Sequence, residues 1–507
     1  MARIIATHDT DPTTIGPMEK EWIYNGLDCC LTNEILDALR PQLDDVTGAT
    51  YSFSRELQAP VLEMRLRGVL VDKARRAKVL DDFHDSLDIV ERQLERIVLE
   101  GVGLASFKWG SHPDRQRLFY DVLQIPAVMK GGRRTTDRAT LEKLVVYPVA
   151  TAIINHIITL DELRKKIGVL RTATDEDGRM RTSYNIAGTS TGRFSSSFTE
   201  FGTGGNLQNI EESLRSILIA DPGMIMAKFD AKSGESFVVG AIEWNLFNDD
   251  RYLSACESGD PHTAVARICW PGLPWTGDLK HDKNIAETPY YRHYTYRFMC
   301  KKLGHGSNYG GKPRTLSEQS KLPIGVVEAF QPRYFEAFPA HQQWQGWVDN
   351  QLRRYGVITS LLGRRRHFFG RRSDDSTLRE AIAYDPQSSL ADLVNTAMLQ
   401  IWRLTKSDHP LWSQVQLLLQ DHDALTFQFP EGLVDDIVPL ILSALVIPVP
   451  LANGRTLRIP YDAKIGFNRG DWSKNNPEGL KDWKPGEKRQ RQPKVHLLDR
   501  PIRSLQR

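Results

Sequence analysis

Two aspartates stand where chain geometry could bring them together. Asp230 closes an apolar, β-like run that begins at Met224, and Glu235 follows five residues later. Asp423 lies between two further β-rich runs, residues 415–419 and 424–429, which read as a hairpin with acids at its turn. Two carboxylates at the ends of adjacent strands can hold two Mg²⁺ ions. Such ions, about 3.5–4 Å apart, stabilise both the attacking and the leaving oxygen of an in-line displacement at phosphorus. Mg²⁺ suits such a site because it takes a few carboxylates and completes its shell with water and substrate phosphates. Either aspartate alone reads as an ordinary solvated turn acid; the pair carries the chemistry.

A second constellation is Arg297, Lys301, His305 and Tyr309, spaced by four throughout. On an α-helix, steps of four drift by only about 40°, so the four share one face. Two cations, an imidazole and a phenol in a line suit a triphosphate with a sugar and base behind it. The competing reading is a solvated cationic face. Gly304, Gly306, Gly310 and Gly311 crowd the segment, each at a cost of about 1 kcal/mol in a helix interior. They point to close approach of a ligand or another backbone, or to a moving element. A third segment, Thr189-Ser190-Thr191-Gly192-Arg193-Phe194-Ser195-Ser196 with Asn206-Leu207-Gln208-Asn209, offers amides, hydroxyls and one guanidinium. Such groups can bond minor-groove base edges, where every base pair presents similar acceptors. A fourth, Arg364-Arg365-Arg366-His367-Phe368-Phe369 with Arg371, Arg372 and Arg379 nearby, interleaves cations with aromatics, as single-stranded or duplex backbones require. A solvated charge run is its equal alternative.

Helical periodicity places helices over residues 22–39, 74–104 and 149–170, and an apolar run over 56–71. Residues 182–209 are rich in Ser, Thr, Gly and Asn and read as loop. After Asn468 the chain turns polar, proline-containing and basic, which predicts a loosely ordered tail. The 507 residues suggest about three domains. With 40% apolar and 25% charged residues, the composition is globular rather than low-complexity or collagen-like. A net charge of +3 argues neither for nor against nucleic acid, but it is unevenly spread. Residues 481–507 hold nine Lys/Arg against three Asp/Glu, a net +6, on a body that sums to −3. Five cysteines without CxxC spacing fit a reducing compartment without disulfides or a zinc site. No run approaches the roughly 20 apolar residues of a membrane span, and the first residues, MARIIATHDTD, hold no apolar run long enough for a signal peptide. The expectation is a soluble, cytoplasmic protein of a bacterial or phage-infected cell.

Taken in order, these segments resemble the polymerase module of family A DNA polymerases over about residues 48–475. TSTGRFSSS…NLQNI resembles the family's TGRxSS…NLQNI, FDAKSGE its DYSQIE, and Asp260-Pro261-His262 its DIH. RFMCKKLGHGSNYGG resembles RxxxKxxxFGxxYG, and the segments LLGRRR, REAIAYDPQSSLAD and QDHDA resemble its later GRRR, Gln-containing helix and VHDE motifs. The resemblance implies an α+β right hand: an antiparallel palm sheet from 48–79, 186–262 and 388–475, a helical thumb over 80–185 and helical fingers over 263–387. It implies Asp230 and Asp423 as metal-binding catalytic residues for two Mg²⁺ ions, with Mn²⁺ as a substitute. Glu235 would be the steric gate that excludes a ribose 2′-OH. His262, Arg297, Lys301, His305 and Tyr309 would bind the nucleotide. Arg193, Asn206, Gln208, Asn209, Arg364, Arg365, Arg379, Gln387 and His422 would contact primer–template DNA. The implied partners are primer–template DNA and dNTPs, with a processivity factor or a separate exonuclease chain besides.

The chain departs from the family pattern at several positions. His305 stands where the family has Phe or Tyr, Ser233 replaces a Gln, and Ala383 an Asn. Ala424 replaces the Glu after the second metal Asp, and Asp421 adds an acid two residues earlier, placed to compensate. Residues 1–47 resemble the end of a 3′–5′ exonuclease domain only in Tyr24-Asn25-Gly26-Leu27-Asp28; Asp9 and Asp11 do not make the family's DxE. The segment is therefore either a degenerate remnant or one half of a split site that a separate chain completes in trans. The expected function is template-directed DNA synthesis, replicative in role. The alternatives are a repair or translesion polymerase of the same fold and a non-catalytic DNA-binding or replisome accessory protein.

Overall fold

The computed structural model describes residues 15–487, and the fold is α+β. The described chain divides into two compact units, residues 59–237 with 390–487 and residues 15–58 with 238–389.

The first unit is built on a five-stranded sheet of β1 (Met224–Ala231), β2 (Gln416–Asp421), β3 (Ala424–Pro430), β4 (Tyr461–Gly466) and β5 (Lys481–Asp482). The strand order is β2-β3-β1-β4-β5, and every neighbouring pair is antiparallel. β1 is central, so its apolar residues run almost without alternation: Ile225, Met226, Ala227, Phe229 and Ala231 are all buried. Phe229 meets Phe427 of β3 edge to face at 5.8 Å. The helix Val434–Leu445 packs on this sheet through Ile437, Val438, Ile441 and Leu445, one helical stripe. The same unit holds the long helices Lys73–Val102 and Pro148–Arg171, which pack together. Asp72 caps the first by accepting the Arg75 N–H at 3.0 Å. Leu94 and Val98 share a core with Ile153, Ile154, Ile157 and Leu160.

The chain after Asn468 corrects the expected loose tail as far as residue 487. β5 pairs with β4, Leu480 is buried, and the Asn468 and Asn476 amides bond reciprocally at 2.8 and 3.0 Å. Gly466 allows this, since a Cβ there would lie 2.5 Å from the Gly479 carbonyl. Backbone pairing and small residues order the segment, and neither leaves a hydrophobic period. The remaining basic residues from 488 on, like Asp9 and Asp11, lie outside the described residues.

The second unit is largely helical. Its helix Pro339–Tyr355 buries Trp344, Val348 and Leu352 and leads into a hairpin, Val357–Thr359 with Arg365–His367. Asp385, on the helix Asp375–Thr405, fastens the chain beside this hairpin: its carboxylate accepts the Leu361 N–H at 2.7 Å and the Ser389 hydroxyl at 2.8 Å. Burial pushes the Asp385 carboxyl up to about 6 against an ordinary 3.8. The folded state therefore holds this proton where the unfolded state has lost it, and the stability it contributes falls as pH rises from about 4 through 6. Asp385→Asn keeps both acceptor bonds and removes the titration. Relative to wild type, its unfolding free energy should improve by about 2 kcal/mol between pH 4 and pH 7, measured by urea denaturation. A pH-independent difference would refute this. Among the described residues no helix is long and apolar enough to cross a membrane.

Candidate active site

The sheet brings the two aspartates together. Asp230, at the end of β1, lies directly across from Ala424 on β3 and Asp462 on β4, and opposed residues on antiparallel strands project to the same face. Asp421 pairs with Ala424, so His422 and Asp423 form the hairpin turn. His422 takes a left-handed φ of 60°, a conformation His tolerates better than most residues. The Asp423 carbonyl accepts the Ala231 N–H at 3.0 Å, which ties the turn to the end of β1. Asp230 and Asp423 line one cavity of about 540 Å³, together with Asp462, Lys228, Arg215 and Lys464. Burial raises the Asp423 carboxyl above the usual carboxylate range, and the Asp230 charge adds to it. Burial and the same two acids also raise the Tyr461 phenol.

Among the described residues no group of three or more His, Cys, Asp or Glu gathers as a metal site. The carboxylates that could serve as donors are Asp230 and Asp423, and Lys228 Nζ lies 3.2 Å from Asp230 Oδ2, which offsets part of their repulsion. Two facing carboxylates in an open polar cavity fit a hard cation such as Mg²⁺ or Mn²⁺, which draws its other ligands from water and phosphate. Lys228 was not singled out in the sequence, although its place two residues before Asp230 on a strand puts both on one face.

Asp421, the acid nearest Ala424 in this hairpin, lines the same cavity but is already paired. Arg469 Nη2 holds its Oδ2 at 2.7 Å, with both side chains buried, while Arg469 Nη1 donates to the Leu207 carbonyl at 2.8 Å. This ion pair joins residues 48 apart, and the only sequence signal is one cation set among small and polar neighbours in Asn468-Arg469-Gly470. Gln208 is buried beside it and donates to the Gln420 side chain at 2.9 Å and the Gln420 carbonyl at 3.1 Å. Asn206 organises its own turn, accepting from the Asn209 N–H at 3.1 Å and the Ser196 hydroxyl at 2.7 Å. Asn209 lines the acidic cavity, as do Gln208 and His422. His422 Nδ1 is buried without a hydrogen-bond partner, and burial followed by the Arg193 charge lowers its basicity. Arg193 is paired with Glu235 through Nη2 and Oε1, so the guanidinium fixes the carboxylate expected to gate the sugar.

The second unit holds the cationic stripe, but not on one α-helix as the spacing predicts. Residues Tyr296–Met299 and His305–Asn308 are α-helical, with a π-helical Cys300–Gly304 between them. Tyr309 ends the segment at φ −91°, ψ 21°. The glycines answer to packing: a Cβ on Gly304 would press on the Tyr334 ring at 3.2 Å, and one on Gly306 would meet Leu316 at 2.4 Å. Arg297 makes a two-pronged bond to Asp260, 3.1 Å at each prong. Lys301 and His305 are exposed, and His305 meets Tyr309 edge to face at 5.0 Å. Burial, then the nearby Arg297 charge, lowers His262 to about 4. In the same unit, Arg365 pairs with Asp44, and the Arg364 carbonyl accepts the Tyr384 hydroxyl at 3.0 Å. Arg379 is exposed, Gln387 half-buried, and both lie on the helix Asp375–Thr405. Tyr24 and Asp28 share the helix Pro17–Leu39, on which no residue is buried.

A family model described as DNA polymerase family A matches residues 77–473. The thermostable DNA polymerase I of Thermus aquaticus is 28% identical over 441 residues, 82% of this chain and 47% of that protein. DNA polymerase I of Treponema pallidum (strain Nichols) is 28% identical over 432 residues, 82% of this chain and 40% of the relative. The chain thus spans about half the length, or less, of the curated relatives it matches. Among solved structures, the POL domain of Pol1 from M. smegmatis in complex with DNA primer-template and dNTP shares the fold. Its TM-score is 0.65 at 23% identity, covering 82% of this chain and 69% of that one.

Proposed function

The chain belongs to DNA polymerase family A, and on that premise we propose that it is a template-directed DNA polymerase that adds deoxynucleotides to a primer 3′-OH. One observation carries the reading: Asp230 and Asp423, 193 residues apart, share one cavity at the end of the sheet. They are the residues that would hold a pair of Mg²⁺ ions. Bound there, such ions supply positive charge for the attacking 3′-oxygen and the departing pyrophosphate. The chain's own residues do the rest by positioning and charge neutralisation. Arg297 and Lys301 neutralise triphosphate oxygens. His262, held neutral at pH 7 by its pKa of about 4, donates a single N–H without further charge. His305 and Tyr309 present aromatic edges to the sugar and the base pair. Asn209, His422 and Arg193 face primer–template DNA.

Mg²⁺-dependent extension of a primed template tests the reading. DNA binding without extension would favour the accessory-protein alternative. The replicative role is part of the same proposal, and processive copying of a long primed strand, as opposed to filling of short gaps only, tests it. For the amino-terminal helix both readings stand, a degenerate exonuclease remnant or one half of a site that a separate exonuclease chain completes with Asp28, and mismatch removal by the mixed chains with and without Asp28→Ala separates them.

Glu235, held by Arg193, is the proposed gate against ribonucleotides. Glu235→Ala should raise ribonucleotide incorporation relative to deoxynucleotide incorporation by about 100-fold. Competitive single-nucleotide incorporation measures it. An unchanged ratio would remove Glu235 from the role.

A further inference from the structure

Behind the π-interrupted segment lies a chain of buried polar groups that the polymerase reading does not use. Glu243, His341, Tyr334 and Asn308 are each no more than 1% exposed, and Tyr252 is 5% exposed. Asn308 Oδ1 accepts the Tyr334 hydroxyl at 2.8 Å, and Asn308 Nδ2 donates to the Tyr252 oxygen at 3.0 Å. Tyr334 in turn lies 3.1 Å from His341 Nε2, and His341 Nδ1 bonds Glu243. The directions follow from the donors available. Tyr334 has one O–H and gives it to Asn308, so His341 must present an N–H at Nε2. Nδ1 and Glu243 then share a single proton, and Glu243 fixes the tautomer.

The backbone around Asn308 is held the same way. Gln345 Nε2 donates to the Ser307 and Asn308 carbonyls at 2.9 Å each, and Gln331 Nε2 donates to the Ser307 hydroxyl at 3.0 Å and the Gly311 carbonyl at 2.8 Å. A helix end leaves its last carbonyls without partners. Here Gln345, from another helix, bonds the carbonyls of Ser307 and Asn308, and Gln331 ties the Ser307 hydroxyl to the Gly311 carbonyl, so distant residues set the turn at Tyr309. Unpaired polar groups are costly in such an interior, and a fully paired network fixes one conformation.

We infer that Glu243, His341, Tyr334, Asn308 and Tyr252 form a positioning chain that sets Tyr309 and, through it, the discrimination between matched and mismatched nucleotides. The inference rests on the polymerase reading. None of the five touches substrate; they act through the Ser307–Tyr309 backbone. The test compares kcat/KM for matched and mismatched dNTPs on one primer–template. Tyr334→Phe keeps the ring against Gly304 and removes only the hydroxyl, and it should lower the matched-to-mismatched ratio by about 10-fold. Tyr252→Phe should lower it in the same direction and serves if Tyr334→Phe does not fold. Glu243→Gln, whose amide N–H can still donate to Nδ1, should keep the ratio within about twofold. Val348→Ala, a buried truncation on the helix that carries His341, is the stability control. A ratio unchanged in Tyr334→Phe, or lowered as much in Val348→Ala at a matched thermal midpoint, would overturn the inference. If the wild-type chain does not extend primers, the polymerase reading fails instead, and that is measured first.

Discussion

Asp423→Asn should slow primer extension by about 10⁴-fold while the protein melts at or above the wild-type temperature. Both halves follow from the same geometry. The amide occupies the carboxylate's volume and leaves the turn bond from Ala231 N–H to the Asp423 carbonyl intact, because that bond uses the backbone. What is lost is one charge of the Asp230–Asp423 pair in the shared cavity. For catalysis the loss is severe, because a neutral amide is a poor ligand for a hard divalent cation and Asp230 alone is left to hold it. For folding it is mild relief, because the two acids repel each other and Lys228 answers Asp230 only in part. Single-turnover extension and a thermal melt of the same preparation separate the two effects. Extension near the wild-type rate would remove Asp423 from the metal pair, and with it the two-metal proposal.

How much of this was visible in the sequence depends on how far each interaction reaches along the chain. The β2–β3 hairpin and the acid at its turn were legible because β-rich runs and turn residues are local signals. So were the helices Lys73–Val102 and Pro148–Arg171, whose apolar residues recur at helical spacing. The π-helical Cys300–Gly304 was not. The Arg297-to-Tyr309 spacing fits an ideal α-helix, and the break comes with Tyr334 and Leu316 packed against Gly304 and Gly306. The same glycines therefore read ambiguously as ligand contact, backbone approach or a moving element. β5 was invisible because two residues joined by backbone bonds leave no hydrophobic period. Gln208 read as an amide presented to DNA, whereas it is buried against Gln420, 212 residues away. The acids at the site were readable one by one. Which of them is already neutralised by a distant cation was not, and that question decides how Asp421 behaves.

Arg469→Met should destabilise the protein by about 3–5 kcal/mol, well beyond the cost of most substitutions. Asp421 and Arg469 are 8% and 4% exposed, so the pair is a desolvated one. Attraction between buried charges does little more than repay their desolvation, which makes the intact pair a weak source of net stability. Removing only the cation is different. It strands a carboxylate whose Oδ1 already has no hydrogen-bond partner, in a cavity that also holds Asp230 and Asp423. It also frees the Leu207 carbonyl, which Arg469 Nη1 caps at 2.8 Å, and so loosens the turn that carries Gln208 and Asn209. Arg469→Lys keeps a charge but cannot reach both oxygens with a planar fork, so it should recover only part of the loss. Asp421→Leu combined with Arg469→Met should return most of it, because no unpaired charge is left. Urea denaturation of the two single variants and the double variant closes the cycle. Additive effects, with the double variant as unstable as the sum of the singles, would mean that Arg469 acts through the Leu207 turn rather than by neutralising Asp421.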